Sequence, residues 1–421
     1  MDKLFAVCAP GLEPFLAQEL AELGVQASRA RPPANRRATE SRRIAQHPTS
    51  PLQGAQPRST ATLSPRDPAM ADPPGEGGLE FQGNLRDLYR ANLWLRTASR
   101  VLVRLGEFYA AAFPELRRKA SRLPWERYLA PGQPVALRVS CNKSRLYHSG
   151  AVAERTALAI ADRLGQLPKT AKFDEDADAN LPQLIVVRLA RDLCTISVDS
   201  SGTLLHRRGY RQAVAKAPLR ETLAAGILMA SGWDMASPLL DPFCGSGTIP
   251  IEAALMARQI APGRARRFAF MDWPDFDVAI WDDSLPPMGR FAGPGMRARI
   301  LASDRDAGAI QSAQANAERA GVADCIEFSR RAVSAIEPPP GPGWIVTNPP
   351  YGVRVSASKD LRNLYAQFGN VLRARCSGWR VAMLCDRDQL IRNTGLRFDP
   401  AQSISLTNGG LRVKLARGRV E

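Results

Sequence analysis

Asn348-Pro349-Pro350-Tyr351 closes the apolar run Trp344-Ile345-Val346-Thr347 and places two hydrogen-bond acceptors and an aromatic ring where a planar amine could lie. An exocyclic base amine is a poor nucleophile, because its lone pair is delocalised into the ring. The side-chain oxygen of Asn348 and the backbone carbonyl of Pro349 can accept both amine hydrogens, favouring the tetrahedral nitrogen that must form as it attacks a methyl group. Two prolines stiffen the loop and remove competing N–H donors. Tyr351 offers a face for stacking a base taken out of its helix. The chemistry implied is methylation of an amine. A strand end followed by a Pro-Pro turn is the alternative, and it needs neither Asn nor Tyr.

About a hundred residues earlier, Pro238-Leu239-Leu240-Asp241-Pro242-Phe243-Cys244-Gly245-Ser246-Gly247-Thr248 joins a short apolar run to a small-residue turn, and Ile251 to Met256 continues with helical spacing. The pattern predicts a strand, a glycine loop and a helix. Gly245 and Gly247 allow close backbone approach to a ligand and φ values that a side chain would forbid. Asp241 at the strand tip is placed to pair with a ligand's ammonium group, whereas a dinucleotide loop would receive pyrophosphate at the helix start. Arg299 to Asp304 then predicts a second strand, followed by a helix that Gly321 would stop. Asp304 stands where doubly wound folds bind ribose hydroxyls; its alternative role is a helix N-cap, for which Asp306 competes. One pocket at the strand tips, lined by Asp241, Phe243 to Thr248 and Asp304, would hold S-adenosylmethionine beside Asn348, and its sulfonium would supply the methyl.

From about Leu79 onward the chain resembles bacterial THUMP-domain class I RNA methyltransferases, most of all those that methylate guanine N2 in 23S ribosomal RNA. The resemblance runs through Gly78 to Phe81, Tyr89 to Val101, Ser144 to His148, Gly150 to Arg155, His206 to Arg211, Lys216 to Leu223, the glycine loop and the Asn-Pro-Pro-Tyr motif. It implies an α/β fold: a Rossmann-like seven-stranded class I methyltransferase domain preceded by ferredoxin-like and THUMP α+β modules. It also implies an S-adenosylmethionine donor and an RNA guanine acceptor, with Arg220 a partner for the donor's carboxylate. Many ribosomal members carry a second methyltransferase domain, for which this chain ends too early.

The expected organisation is the start of a ferredoxin-like module over 1–26, a disordered basic insertion over 27–77, the rest of that module over 78–100, THUMP over 101–203 and the methyltransferase domain over 204–421. Lys3 to Cys8 predicts a strand and Pro14 to Leu23 a helix with Leu16, Leu20 and Leu23 on one face, stopped by Gly24. From Ala27 to Gly77 the chain is rich in Pro, Arg, Ser, Thr and Ala with almost no periodic apolar residues, so it cannot offset the entropy of ordering. Further on, a helix is expected from Phe113 to Leu129 with a break at Pro124, strands at Val135 to Val139, Leu184 to Leu189 and Cys194 to Val198, and a helix at Ala151 to Leu164. Asn142, Lys143, Arg145 and His148 form a polar, basic loop suited to phosphate and sugar contacts, with a solvated turn as the alternative. Arg207, Arg208 and Arg211 either contact RNA backbone or brace a domain junction.

A net charge of +16 over 421 residues, with pI near 10.1, favours a polyanionic partner, nucleic acid ahead of an acidic membrane. The seven cysteines lie apart and only three histidines occur, so neither a zinc site nor a disulfide framework is expected, and a reducing cytoplasm fits. No apolar run approaches the roughly 20 residues of a membrane span. One departure stands out: Phe328-Ser-Arg-Arg-Ala332 carries no acidic residue where many class I enzymes hold the adenine amine, leaving a backbone carbonyl for that task. Three alternatives accompany the guanine reading: guanine-N2 methylation of tRNA, adenine-N6 methylation of DNA, and a catalytically silent RNA-binding assembly factor.

Overall fold

The computed structural model describes residues 1–28, 77–175, 181–212, 219–285, 298–351, 358–408 and 410–421. Most of the expected insertion, Lys216 to Pro218 and Gly409 lie outside them. In chain order the N-terminal half runs β1 (Asp2–Cys8), α1 (Glu13–Glu22), β2 (Ala27–Ser28), β3 (Gly78–Gly83), α2 (Leu85–Trp94), β4 (Ala98–Tyr109), α3 (Phe113–Ala120), β5 (Val135–Asn142), α4 (Ser149–Leu164), β6 (Gln183–Ala190) and β7 (Leu193–Asp199). These strands form one continuous sheet in the order β2-β3-β1-β4-β7-β6-β5. The boundary expected at 100/101 falls inside β4, whose 12 residues pair with β1 at one end and β7 at the other. A strand paired on both sides within one sheet cannot be divided between modules without exposing its ladder.

Local rules account for the elements. Leu16 and Leu20 of α1 are fully buried. Asn84 and Asp87 form a reciprocal capping box at the start of α2. The helix expected up to Pro124 instead ends at Ala120, because proline disfavours helical geometry in the residue before it; Trp125 begins a single 3₁₀ turn and donates its Nε1–H to Ala120 O at 2.8 Å. The edges of the expected insertion are folded. Ala27 and Ser28 pair with Phe81 and Glu80, and Gly77 donates to Glu13 Oε1 at 3.0 Å. Backbone pairing captures these residues although their side chains give no apolar signal.

The C-terminal half runs α5 (Glu221–Ser231), β8 (Leu239–Asp241), α6 (Thr248–Ala257), α7 (Val278–Ser284), β9 (Ile300–Asp304), α8 (Ala307–Ala320), β10 (Ile326–Arg330), β11 (Trp344–Thr347), α9 (Ser358–Arg375), β12 (Arg380–Cys385), α10 (Asp388–Asn393), β13 (Ile404–Asn408) and β14 (Leu411–Arg419). They build a seven-stranded sheet, β10-β9-β8-β11-β12-β14-β13, parallel up to β12 and closed by an antiparallel hairpin, the arrangement that the resemblance implies. Successive residues alternate between two cores: Leu239, Val346, Ala382 and Leu384 on one face, and Leu240, Ile345, Val381 and Met383 on the other. Both faces are covered, which is why these strands read as unbroken apolar runs. Strand order reverses between β8 and β11, so a crevice opens at their carboxyl ends, where such sheets bind ligands.

A buried polar network fixes the two halves against each other. Glu19 of α1 accepts from the backbone N–H groups of Arg96 and Thr97 at 2.6 and 3.1 Å, and Arg96 reaches Ile260 O at 2.6 Å. Arg208 pairs with Glu252 of α6 and donates to Arg96 O at 2.7 Å, while the Tyr210 hydroxyl donates to Glu252 at 2.9 Å.

Candidate active site

β8 and β11 deliver the two motifs to the same crevice. The Thr347 hydroxyl, last in β11, donates to Asp241 Oδ1 at 2.6 Å at the tip of β8. Asn348 therefore leaves the sheet directly beside the glycine loop. Asp241 is 1% exposed and also accepts from Phe243 N–H at 3.2 Å. Burial pushes its carboxyl up to about 7, against the lowering effect of those two hydrogen bonds, and Asp304 adds like-charge repulsion.

The two loop glycines have different reasons to be glycine. Gly245 has φ +54 and a Cβ there would meet nothing within 4 Å, so the space beside it is open. Gly247 has φ +84, and a Cβ there would lie 2.9 Å from Ala313 Cβ, so its small size serves helix packing instead of ligand approach. Cys244 and Ser246 are buried; the Ser246 carbonyl accepts from Asn316 Nδ2 at 3.0 Å, and Phe243 packs edge-on against Phe368. Thr248 is buried at the first position of α6. Asp304 accepts from Gly245 N–H at 3.1 Å and from Asp306 N–H at 3.0 Å, tying the second strand tip to the loop. The N-cap of α8 is Asp306, which leaves Asp304 available to a ligand. After β10 the segment 330–336 has no carboxylate, and Glu337 is engaged by Arg331 at 2.6 Å.

The Asn-Pro-Pro-Tyr loop is held from behind. Tyr365 donates its hydroxyl to Pro350 O at 3.3 Å and lies 3.5 Å from Cys385 Sγ. Asn408 Nδ2 donates to the Tyr351 hydroxyl at 2.9 Å, so the C-terminal hairpin orients that half-buried ring. Burial pushes the Tyr351 hydroxyl up to about 12, so it stays neutral. Asn348 Oδ1 is buried and has no partner. An acceptor so stranded costs on the order of 1–3 kcal/mol, and a ligand's N–H is what would satisfy it.

The predicted RNA contacts divide. Asn142, Lys143, Arg145 and His148 sit together at the exposed edge beyond β5, joined by Tyr147, which is 81% exposed and was not among the sequence candidates. His148 caps α4, its Nδ1 accepting from Ala151 N–H at 3.1 Å, and Arg145 pairs with Asp192 at 3.2 Å. Arg208 cannot touch RNA: its side chain is 1% exposed and paired with Glu252. Arg211 is turned inward too, donating to Leu219 O at 2.7 Å and Glu221 at 3.1 Å. Both serve buried carboxylates, which demand a counter-charge, and Arg208 also reaches across to Arg96 O. Arg207 is half-buried and Arg220 exposed. Sequence reasoning missed Thr347, Asn408 and Asp386; the last follows the apolar run of β12, and a carboxylate at a parallel strand's carboxyl end was the available signal.

Residues 208–416 match the model of the RMKL-like methyltransferase domain, and residues 3–34 and 73–102 match that of the RlmL ferredoxin-like domain. A Synechocystis protein named for a presumed RNA methyltransferase activity is 34% identical over 340 residues, covering 80% of this chain and 87% of its own. The ribosomal RNA large subunit methyltransferase K/L of Syntrophotalea carbinolica is 36% identical over 352 residues, covering 80% of this chain and 48% of its own. The chain thus spans about half the length of the K/L relatives it matches. Among solved structures, SMU.472, described as a methyltransferase and complexed with SAH, superimposes with TM-score 0.80 at 26% identity over 100% of this chain and 98% of that one. A Listeria monocytogenes protein expected from its sequence to be an N6-adenine-specific DNA methylase does so with TM-score 0.78 at 30% identity, over 99% and 95%.

Proposed function

Because the chain belongs to the RMKL-like methyltransferase family, we propose that it transfers a methyl group from S-adenosylmethionine to N2 of a guanine in 23S ribosomal RNA. The observation that carries this reading is the orphaned, buried Oδ1 of Asn348 beside the glycine loop. Bound S-adenosylmethionine supplies an activated methyl on a sulfonium, so no covalent protein intermediate is needed. Asp241 pairs with the donor's ammonium, Asp304 accepts from its ribose hydroxyls, and the Gly245 face with Phe243, Cys244, Ser246 and Thr248 lines the rest. Arg220 receives the carboxylate. In place of an adenine-binding carboxylate, backbone carbonyls after β10 accept from the adenine amine.

Asn348 Oδ1 and the Pro349 carbonyl hold the two amine hydrogens and tilt the nitrogen toward tetrahedral geometry, while Tyr351 stacks on the base. No strong base is required: the nitrogen becomes acidic as the new bond forms, and its proton leaves afterwards to water. Near-attack positioning of this kind is worth roughly 7–11 kcal/mol in favourable cases. Residues 101–203 act as the THUMP domain, with Asn142, Lys143, Arg145 and His148 contacting phosphates and sugars and Tyr147 beside them. The net charge of +16 favours this partner.

Deleting the gene and mapping which N2-methylguanosine disappears from each RNA pool tests the substrate. Asn348→Ala is expected to spare donor binding and cut turnover by about a hundredfold or more, comparable to loss of one oxyanion-type stabiliser. Unchanged turnover on unmethylated rRNA would remove Asn348 from the mechanism. Adenine-N6 methylation of DNA is the second reading, since the same acceptors suit that amine and the Listeria relative is described in those terms; labelled donor with duplex DNA distinguishes it.

A further inference from the structure

Among the described residues, two side-chain carbonyl-type oxygens are buried without a partner: Asn348 Oδ1 and Asp386 Oδ1. They sit at the carboxyl ends of neighbouring parallel strands. β11 and β12 pair in register up to Thr347 with Met383; Asn348 leaves β11 there, while β12 runs on through Leu384 and Cys385 against β14 before Asp386 leaves it on the same edge of the sheet. The Tyr365 hydroxyl spans the two exits, within reach of Pro350 O and Cys385 Sγ. The Asp386 charge is also felt by Tyr351, whose hydroxyl it helps push upward after burial itself. The ion pair to Arg387, at 3.5 Å, engages Asp386 Oδ2 and leaves Oδ1 stranded.

An acceptor pair of this kind asks for two adjacent donors on the ligand. The amine-holding loop by itself suits any base, since guanine, adenine and cytosine all carry an exocyclic NH2. They differ in the neighbouring ring nitrogen: guanine N1 bears a hydrogen, whereas adenine N1 and cytosine N3 are bare acceptors. A carboxylate oxygen beside the amine subsite is satisfied by guanine and meets a lone pair on the other two. We infer that Asp386 selects guanine, its carboxylate accepting the N1–H of the base whose N2 amine lies against Asn348. The inference rests on the guanine-N2 reading and adds to it the residue that excludes adenine. A site built to hydrogen-bond a substrate N–H rejects analogues lacking it far more strongly than a hydrophobic pocket rejects a missing methylene, because its own buried polar group is then left unpaired.

The test uses the full chain and a synthetic RNA hairpin spanning the mapped nucleotide, carrying guanine, adenine or 2-aminopurine there. 2-Aminopurine keeps the N2 amine but has a bare N1. The wild-type chain is expected to methylate guanine at least about a hundredfold faster than 2-aminopurine. Asp386→Ala, which removes the acceptor altogether, is expected to retain SAH binding by calorimetry, lose about thirtyfold or more on guanine, and compress the guanine-to-2-aminopurine ratio below about ten. A variant that keeps the wild-type ratio while N2-methylguanosine is still produced overturns the role of Asp386 and leaves the guanine reading intact. Wild-type chain that forms no N2-methylguanosine overturns both. Should the variant fail to bind SAH, the wild-type ratio decides alone: equal rates on guanine and 2-aminopurine sink the inference.

Discussion

Replacing Asp241 by Asn changes one atom type in a fully buried group and leaves an acceptor for Thr347 and the Phe243 N–H. The consequences are quantitative. Burial raises this carboxyl from 3.8 to about 7, so the native protein binds the proton more tightly than the unfolded chain. The cost is absent below the unfolded value and fully present above about pH 7; stability is lost as pH rises through that window, opposite to a salt-bridged aspartate. At about 1.4 kcal/mol per unit, the penalty approaches roughly 4 kcal/mol at neutral pH. Asp241→Asn without donor is therefore expected to be more stable than wild type in urea, and the gap should widen by about 2–3 kcal/mol between pH 5 and 7.5. Donor binding should show the reverse face of the same linkage. If only the ionised carboxylate pairs with the ammonium, SAH affinity rises about 15-fold from pH 5.5 to 7 in wild type. The variant should be flat over that range and weaker by about thirtyfold or more at pH 7.5, the scale of losing one partner of a buried charge pair. A stability gap that does not change with pH, or a wild-type affinity flat from pH 5.5 to 7, would refute the reasoning.

Thr347→Val removes the hydroxyl that holds the Asp241 carboxyl down, so the midpoint of the SAH pH profile should move above 7 and affinity at pH 7 should fall by about tenfold; calorimetry across pH reads both, and an unmoved midpoint counts against the coupling of the two motifs. Glu252→Gln leaves Arg208 buried without its counter-charge and weakens the hold of Tyr210. The expected loss is about 3–5 kcal/mol in urea denaturation, with RNA affinity of the surviving folded fraction unchanged; selective loss of RNA binding without destabilisation would return Arg208 to the RNA surface.

The Asn-Pro-Pro-Tyr motif, the glycine loop and the two carboxylate-tipped strands were readable one by one, because local rules govern them: period-2 and unbroken apolar runs mark strands, Gly245 and Gly247 occupy left-handed backbone, and Gly321 stops a helix where an αL residue is required. The C-terminal hairpin, Ile404 to Asn408 against Leu411 to Leu415, closes the same sheet. What sequence could not separate were roles that depend on what lies opposite. Arg208 and Arg145 are the same residue type in basic segments, yet one faces a buried Glu252 across 44 positions and the other faces solvent beside Asp192. β4 reads as a single strand, but only its partners reveal that it belongs to two halves of one sheet. Asp386 and Asn348 are 38 positions apart and acquire a joint meaning only when β11 and β12 pair in register, since hydrogen-bond satisfaction is a property of the space between elements and not of any one of them.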